Sequence, residues 1–337
     1  MQEYHSSQRL LGAFAVCASA GMEDTIRHGK LKTKSNFSNR KERAMKKLLT
    51  TVTRKSLCLM LSVAFSVALA ASVSAVEIPK GKTGDDYVKE AKGHVEGISA
   101  AEAKKLKDST NNIVLLDIRS FEEFKQDGWI KGRTVLPHGL VIFKIREIVP
   151  NKDVPIIVYC KKGKRSALIA YQLQQMGYAN VKYLEGGMLN WKRKGFPAVS
   201  SGISEIAQEA VVPRGDMPAG KSADDFVGEA DKVVKAVSPS EVKQKMAAKN
   251  AFLLDIRSVK EIKTQGAIDG ALVMEHGKVM FNIKKKVHDA NSPIFIVCKK
   301  GGRSALIAQQ MQEMGYKDVH HIKGGIVAWK AAGLPVK

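Results

Sequence analysis

Val158-Tyr159-Cys160-Lys161-Lys162-Gly163-Lys164-Arg165-Ser166 recurs as Ile296-Val297-Cys298-Lys299-Lys300-Gly301-Gly302-Arg303-Ser304. Each copy follows a short apolar, β-branched run, Pro155 to Tyr159 and Pro293 to Val297. Each is followed by a helical pattern, Ala167-Leu168-Ile169-Ala170 and Ala305-Leu306-Ile307-Ala308. A strand therefore hands a cysteine to a tight glycine-containing loop, and the loop opens a helix. Backbone N–H groups of such a loop, with the helix N-terminus, form a positively polarised cradle around the sulfur. Lys161, Lys162 and Arg165 add charge to the dipole, and a thiolate is favoured there. The competing reading is a buried structural cysteine ending a strand. Two copies with the same loop, the same Arg-Ser ending and the same following helix argue against it.

The repeat extends well beyond the cysteines. Ile78-Pro79-Lys80-Gly81-Lys82-Thr83-Gly84-Asp85-Asp86-Tyr87 returns as Met217-Pro218-Ala219-Gly220-Lys221-Ser222-Ala223-Asp224-Asp225-Phe226. Leu115-Leu116-Asp117-Ile118-Arg119-Ser120 returns as Leu253-Leu254-Asp255-Ile256-Arg257-Ser258. Gly186-Gly187 and Trp191 match Gly324-Gly325 and Trp329. A period this long, each unit with its own apolar set, indicates two tandem domains. The expected boundaries are 78–197 and 220–337, joined by a Ser/Gly/Pro-bearing linker over 198–219.

Within a unit, Ser99 and Glu102 form a capping box for a helix to about Lys107. Strands are expected at Ile113–Leu116, Thr134–Leu136, Ile156–Tyr159 and Val181–Leu184. Helices are expected over Phe121–Gln126, Leu140–Ile148, Ala167–Met176 and Met188–Lys194. Short apolar strands alternating with helices imply an α/β fold, a central parallel sheet flanked by helices on both faces. Sites of such sheets lie at the carboxyl ends of strands, where Asp117-Ile118-Arg119 and Cys160 both fall.

The chain has 337 residues and a net charge of +22, from 55 Lys and Arg against 33 Asp and Glu. Met45-Lys46-Lys47 to Arg54-Lys55 reads as a positive n-region, Leu57–Ala71 as an apolar stretch, and Val73-Ser74-Ala75 as a cleavage site before Val76. Residues 45–75 are therefore expected to be a signal peptide, and the product exported, to the periplasm in a bacterium. An uncleaved anchor is the alternative, but the run is at the short limit for a span. Residues 1–44 read as a mis-assigned or disordered extension before the true start at Met45. Residues 1–75 hold 12 of the Lys and Arg and 4 of the Asp and Glu, leaving the remainder at +14. Cys17 and Cys58 fall in the leader, so the mature chain keeps Cys160 and Cys298 and no disulfide framework. The Lys284-Lys285-Lys286 run and the basic balance raise nucleic-acid binding, but aromatics are few and no recognition motif appears. A solvated face accounts for the run better.

Asp-x-Arg-x-x-x-Glu after a strand, Cys-x-x-Gly-x-Arg-Ser before a helix, then Gly-Tyr, a strand, Gly-Gly and Trp, resembles the rhodanese (thiosulfate sulfurtransferase) family. The resemblance covers about residues 95–197 and 234–336. It implies two tandem rhodanese-like domains, and Cys160 and Cys298 as nucleophiles that carry sulfane sulfur as persulfides. It implies an anionic donor such as thiosulfate, an acceptor that is cyanide, a thiol or a protein dithiol, and no cofactor or metal. Lys161, Lys162, Gly163, Lys164, Arg165 and Ser166 are then the candidate substrate-binding residues of the first loop. Lys299, Lys300, Gly301, Gly302, Arg303 and Ser304 are those of the second. Lys162 and Lys300 match a family position associated with donor binding, although a solvated basic edge would look the same. Phosphatases and arsenate reductases share the fold but use Cys-x5-Arg. Here four residues separate Cys160 from Arg165, which tightens the ring of N–H groups below the size of a tetrahedral phosphate. A persulfide carrier serving one protein acceptor would have the same sequence.

Asp117 with Arg119, and Asp255 with Arg257, read as structural pairs bracing the loop, with Glu123 and Glu261 as candidate third members. His138 and His276 read as surface histidines beside glycine, and Trp191 and Trp329 as core aromatics. Gly128-Trp129-Ile130 and Gly266-Ala267-Ile268 depart from the family's Gly-His-Ile. Tandem rhodaneses usually keep one reactive cysteine; both survive here, so two active sites are expected.

Overall fold

The computed structural model describes residues 76–200, 215–246 and 250–337. The expected extension 1–44, the signal segment 45–75 with Cys17 and Cys58, and residues 201–214 of the junction lie outside the described residues.

Two five-stranded parallel sheets repeat one topology. In the first, β1 (Glu96–Ile98), β5 (Val181–Leu184), β4 (Ile156–Tyr159), β2 (Val114–Asp117) and β3 (Arg133–Val135) lie side by side in that order. The second runs β6 (Lys235–Val237), β10 (Val319–Ile322), β9 (Ile294–Val297), β7 (Phe252–Asp255) and β8 (Leu272–Val273). Every residue of β2, β4 and β9 is buried, as a strand covered by helices on both faces requires. From the central pair β4 and β2 the chain winds outward in opposite directions, to β5 and to β3. Cys160 and the Asp117–Arg119 turn therefore sit together at the switch point, beyond the carboxyl ends of the strands.

Among the described residues six helices begin with a reciprocal capping box: Thr83/Asp86, Ser99/Glu102 and Ser120/Glu123, then Ser222/Asp225, Ser238/Glu241 and Ser258/Glu261. Two elements were not foreseen from the sequence. Helix Gly84–His94 buries only Gly84, Val88 and Ala91, which is too few apolar positions for a clear stripe. Strand β1 has three residues, of which only Ile98 is buried. Helix Lys164–Gln175 starts three residues before the expected Ala167, so the loop after Cys160 is shorter than its sequence suggests.

The two sheets belong to one compact unit, fastened by reciprocal arms. Ahead of the first sheet, Gly81 N–H donates to Met314 O (3.1 Å) and Lys82 N–H to Glu313 O (2.9 Å) of the second half. Ahead of the second sheet, Gly220 N–H donates to Met176 O (3.1 Å) and Lys221 N–H to Gln175 O (2.9 Å) of the first. A Cβ at Gly81 would stand 2.0 Å from Glu313 O, and one at Gly220 2.3 Å from Gln175 O, so only glycine permits this approach.

Candidate functional site

Strands β4 and β9 end on Cys160 and Cys298, and the backbone turns back through Gly163 and Gly301. Their φ angles of 87° and 102° lie where side chains are strained. The turn aims one N–H at the sulfur: Gly163 N lies 3.2 Å from Cys160 Sγ, and Gly301 N 3.1 Å from Cys298 Sγ. Ser166 Oγ donates to Gly163 O (3.0 Å) and Ser304 Oγ to Gly301 O (2.7 Å), fixing the turn from beneath. Carbonyls of Cys160 and Lys161 accept from Met188 N–H (2.8 Å) and Leu189 N–H (3.1 Å). Those of Cys298 and Lys299 accept from Ile326 N–H (2.8 Å) and Val327 N–H (3.3 Å). These oxygens are thus held out of the cradle. Helices Lys164–Gln175 and Gly302–Glu313 have no side-chain cap, unlike the six capped helices, and their first-turn N–H groups stay available to an anion.

Each cysteine is about 1 % exposed, yet the sulfur has not been sealed away from polar groups. Cys160 lines a cleft of about 580 Å³ between the two halves. Its far wall comes from the second half: Lys278, Met280, Phe281, Lys284 and Lys285.

Arg165 Nη2 and Nη1 reach Glu123 at 2.5 and 2.8 Å, and Arg303 Nη2 and Nη1 reach Glu261 at 2.5 and 3.0 Å. Burial pushes both carboxyls up, but the hydrogen bond and charge of the arginine outweigh it and hold them below the usual range. Burial likewise disfavours each guanidinium's charge. The glutamate's hydrogen bond first, then the charges of the glutamate and the cysteine, reverse that, and Arg165 and Arg303 end above their ordinary value. Each glutamate also closes the capping box of its own helix, so one carboxylate ties the helix after β2 or β7 to the cysteine loop.

Glu123 and Glu261 therefore serve the loop arginines rather than the aspartate pairs. Asp117 and Arg119 are fully buried; Arg119 Nε and Nη2 bind the two carboxylate oxygens at 2.8 and 2.7 Å, and Nη2 also reaches Gly128 O at 2.8 Å. Arg257 makes the same fork on Asp255 at 2.9 and 2.6 Å and reaches Gly266 O at 2.9 Å. Their bonds hold the crossover after β2 and β7 to the strand end beside the cysteine. The first half adds Arg133, buried, 2.9 Å from Asp117 and with its guanidinium over the faces of both Phe124 and Trp129. Trp191 and Trp329 are core residues, donating to Pro197 O and Pro335 O.

Lys161 pairs with Asp127 at 3.0 Å and Lys164 with Asp85 at 2.5 Å. Lys162, Lys299 and Lys300 are exposed and have no ion pair among the described residues. Two sequence readings need correction. His138 and His276 are not separate surface residues; their Nδ1 atoms lie 3.2 Å apart across the boundary between the halves. The Lys284-Lys285-Lys286 run is not simply a solvated face. Lys284 Nζ donates to Pro79 O (3.2 Å) and Gly81 O (3.4 Å), and Lys284 and Lys285 line the Cys160 cleft. Nothing in either run's spacing announces a partner in the other repeat.

Among the described residues no group of three or more His, Cys, Asp or Glu is placed to hold a metal ion, and no helix is long and apolar enough to cross a membrane.

The family model described as a Rhodanese-like domain matches residues 99–194 and 238–332. A sulfurtransferase of Allochromatium vinosum is 37 % identical over 91 residues, 27 % of this chain and 82 % of that protein. The thiosulfate sulfurtransferase GlpE of Actinobacillus succinogenes is 28 % identical over 101 residues, 30 % of this chain and 88 % of that one. Among solved structures, a thiosulfate sulfurtransferase from Pseudomonas aeruginosa is similar over 72 % of this chain and 43 % of its own, with 19 % identity and a TM-score of 0.32.

Proposed function

The chain belongs to the rhodanese-like domain family, twice over, and from that premise we propose that it moves sulfane sulfur from thiosulfate to a thiophilic acceptor through a persulfide on each of Cys160 and Cys298. The observation that carries this reading is the N–H of Gly163 and of Gly301 aimed at each sulfur, beside an arginine whose position a glutamate fixes.

The reaction is a double displacement. The Cys160 thiolate attacks the outer sulfur of thiosulfate; the new S–S bond forms as the old one breaks, and sulfite leaves with the electron pair. The persulfide anion left on Cys160 sits where the loop N–H groups and helix N-terminus stabilise negative charge without reorganising. Cyanide or a thiolate then attacks the outer sulfur, leaves as thiocyanate or as a persulfide, and restores the Cys160 thiolate. Lys162 stands exposed at the mouth to draw the anionic donor in, and Arg165 favours the thiolate and the persulfide alike. In the second half Cys298, Lys300 and Arg303 take the same roles. Release into the periplasm after cleavage before Val76 is part of this reading.

Mass spectrometry of the purified chain after thiosulfate tests it. One added sulfur is expected on Cys160 and on Cys298, each removed by cyanide. A phosphoryl adduct, or hydrolysis of an aryl phosphate, would overturn it. The same spectrum locates the N-terminus of the mature chain.

A further inference from the structure

A second cavity, of about 270 Å³, lies between the halves. It is built on the helices that follow the two cysteine loops, but on positions further along them. Leu168, Gln172 and Gln175 of helix Lys164–Gln175 line it, and so do their counterparts Leu306, Gln310 and Glu313 of helix Gly302–Glu313. Spacing of i, i+4 and i+7 puts each set on one side of its helix. Among the described residues that line the cavity, none belongs to either cysteine loop. The first half alone supplies Lys82, Tyr87, Glu90 and Tyr171, the last with its ring stacked on His94 at 4.5 Å.

The charge of this wall runs against that of the molecule. The chain carries +22, yet the cavity has two carboxylates, Glu90 and Glu313, and one lysine, Lys82, which lies 3.0 Å from the first and 3.6 Å from the second. His138 and His276 also line it, and burial above all keeps them uncharged. Tyr87 shares its one hydroxyl proton between Gln310 O at 3.1 Å and Glu313 Oε2 at 3.0 Å. Gln310 Oε1 is buried, and no donor reaches it among the described residues. That oxygen has lost its hydration without replacement. The unspent hydrogen-bonding capacity is therefore for accepting, beside one negative charge in excess. Phe143, Met280 and Leu306 add apolar wall. The volume falls just below the roughly 300 Å³ at which sites for drug-sized ligands begin, so an occupant must be small.

We propose that this cavity binds a small organic cation with an apolar body, an aryl amidine or aryl-alkyl amine, whose N–H groups donate to Gln310 Oε1 and to the Glu313 carboxylate. Gln310 and Glu313 stand three positions apart on one helix, neighbours that a single cationic group can serve together. An occupant would tie the helix after one cysteine loop to the helix after the other, and so stabilise the folded chain by mass action. The inference does not draw on the sulfurtransferase reading.

Isothermal titration of the full chain with benzamidine, benzamide and benzoate tests it, since the three differ in charge but hardly in shape. Benzamidine should bind saturably, more tightly than benzamide, and benzamide more tightly than benzoate. Benzamidine should also raise the midpoint of thermal unfolding. Gln310→Leu should weaken benzamidine about three- to tenfold, the loss of one hydrogen bond to a charged group, and Glu313→Gln by about as much. The Glu313 side chain is 39 % exposed, so Glu313→Gln carries the test should Gln310→Leu misfold. Circular dichroism reports whether each variant is folded. Absence of saturable binding, benzoate binding as tightly as benzamidine, or an affinity that neither folded variant moves overturns the inference.

Discussion

The halves of this molecule are two drafts of one site. Turn, N–H to sulfur, serine beneath and Arg–Glu fork agree between them to within a few tenths of an ångström. What differs lies one layer out. Where the first half has Lys164 paired to Asp85, the second has Gly302, against which Phe143 of the first half packs. Where Lys161 finds Asp127, Lys299 has Gln265 at the matching position. The Asp117–Arg119 pair carries a third member, Arg133; at its match the second half has Ala271. The geometry of the cysteine loop is duplicated, and what surrounds it is individual to each copy.

The largest effects should therefore fall on the duplicated part. Cys160→Ser and Cys298→Ser should each leave part of the thiosulfate-dependent activity, and the double variant none. A single variant as inactive as the double would show that one copy is only scaffold. Steady-state thiocyanate production with thiosulfate and cyanide measures this directly.

Next come the buried aspartates. Removing one member of a buried ion pair costs about 3–5 kcal/mol, because the partner charge stays buried. Asp117→Ala strands two guanidinium groups, Arg119 and Arg133, whereas Asp255→Ala strands Arg257 alone, which keeps Gly266 O and Gln265. Asp117→Ala should be the more damaging by about 1–2 kcal/mol, the desolvation penalty of one further charged group. Hydrogen–deuterium exchange, read separately over β2–β4 and β7–β9, would report it. Equal loss of protection in both halves would mean that Arg133 contributes packing on Phe124 and Trp129 rather than charge pairing.

Much of this was legible in the sequence because the relevant signals are local. β-branched runs before Cys160 and Cys298, the Ser-x-x-Glu boxes and Asp-x-Arg each involve residues within a few positions of one another. Their structural meaning follows from strand periodicity, capping and a two-residue fork. Contacts between the repeats were not legible. His138 meeting His276, Lys284 reaching Pro79 and Gly81, and Lys285 lining the Cys160 cleft join residues up to 205 positions apart. No periodicity encodes them. Glu123 was misassigned for a related reason: its sequence neighbours are Asp117 and Arg119, but its charge partner, Arg165, arrives 42 residues later.

The smallest effect concerns the seam itself. With Nδ1 atoms 3.2 Å apart, one ring of the His138–His276 pair must donate and the other accept, so the acceptor is a neutral imidazole with its proton on Nε2. Both Nε2 atoms are buried without a partner among the described residues, beside a cavity of about 50 Å³ lined also by Arg165, Arg303, Glu261, Glu275 and Lys278. Burial, then the neighbouring ring and Arg165, hold His138 well below its ordinary value. Burial and then Arg303, partly opposed by Glu261, bring His276 down to about 3. In the unfolded chain both titrate near 6.5, so below that pH the unfolded state binds more protons than the folded one. The stabilisation is complete above about pH 7 and declines as pH falls through 6.5, by up to about 1.4 kcal/mol per pH unit for each imidazole that stays neutral. Urea midpoints at pH 7.5 and 5.5 should show that slope in the parent chain, and His138→Gln with His276→Gln should flatten it. A double variant with the parent's slope would place the acid sensitivity in His321, which burial also holds below its ordinary value, and not in the carboxylates of Glu123 and Glu261. Their own depressed values lose stability only at lower pH, as protonation breaks the forks to Arg165 and Arg303.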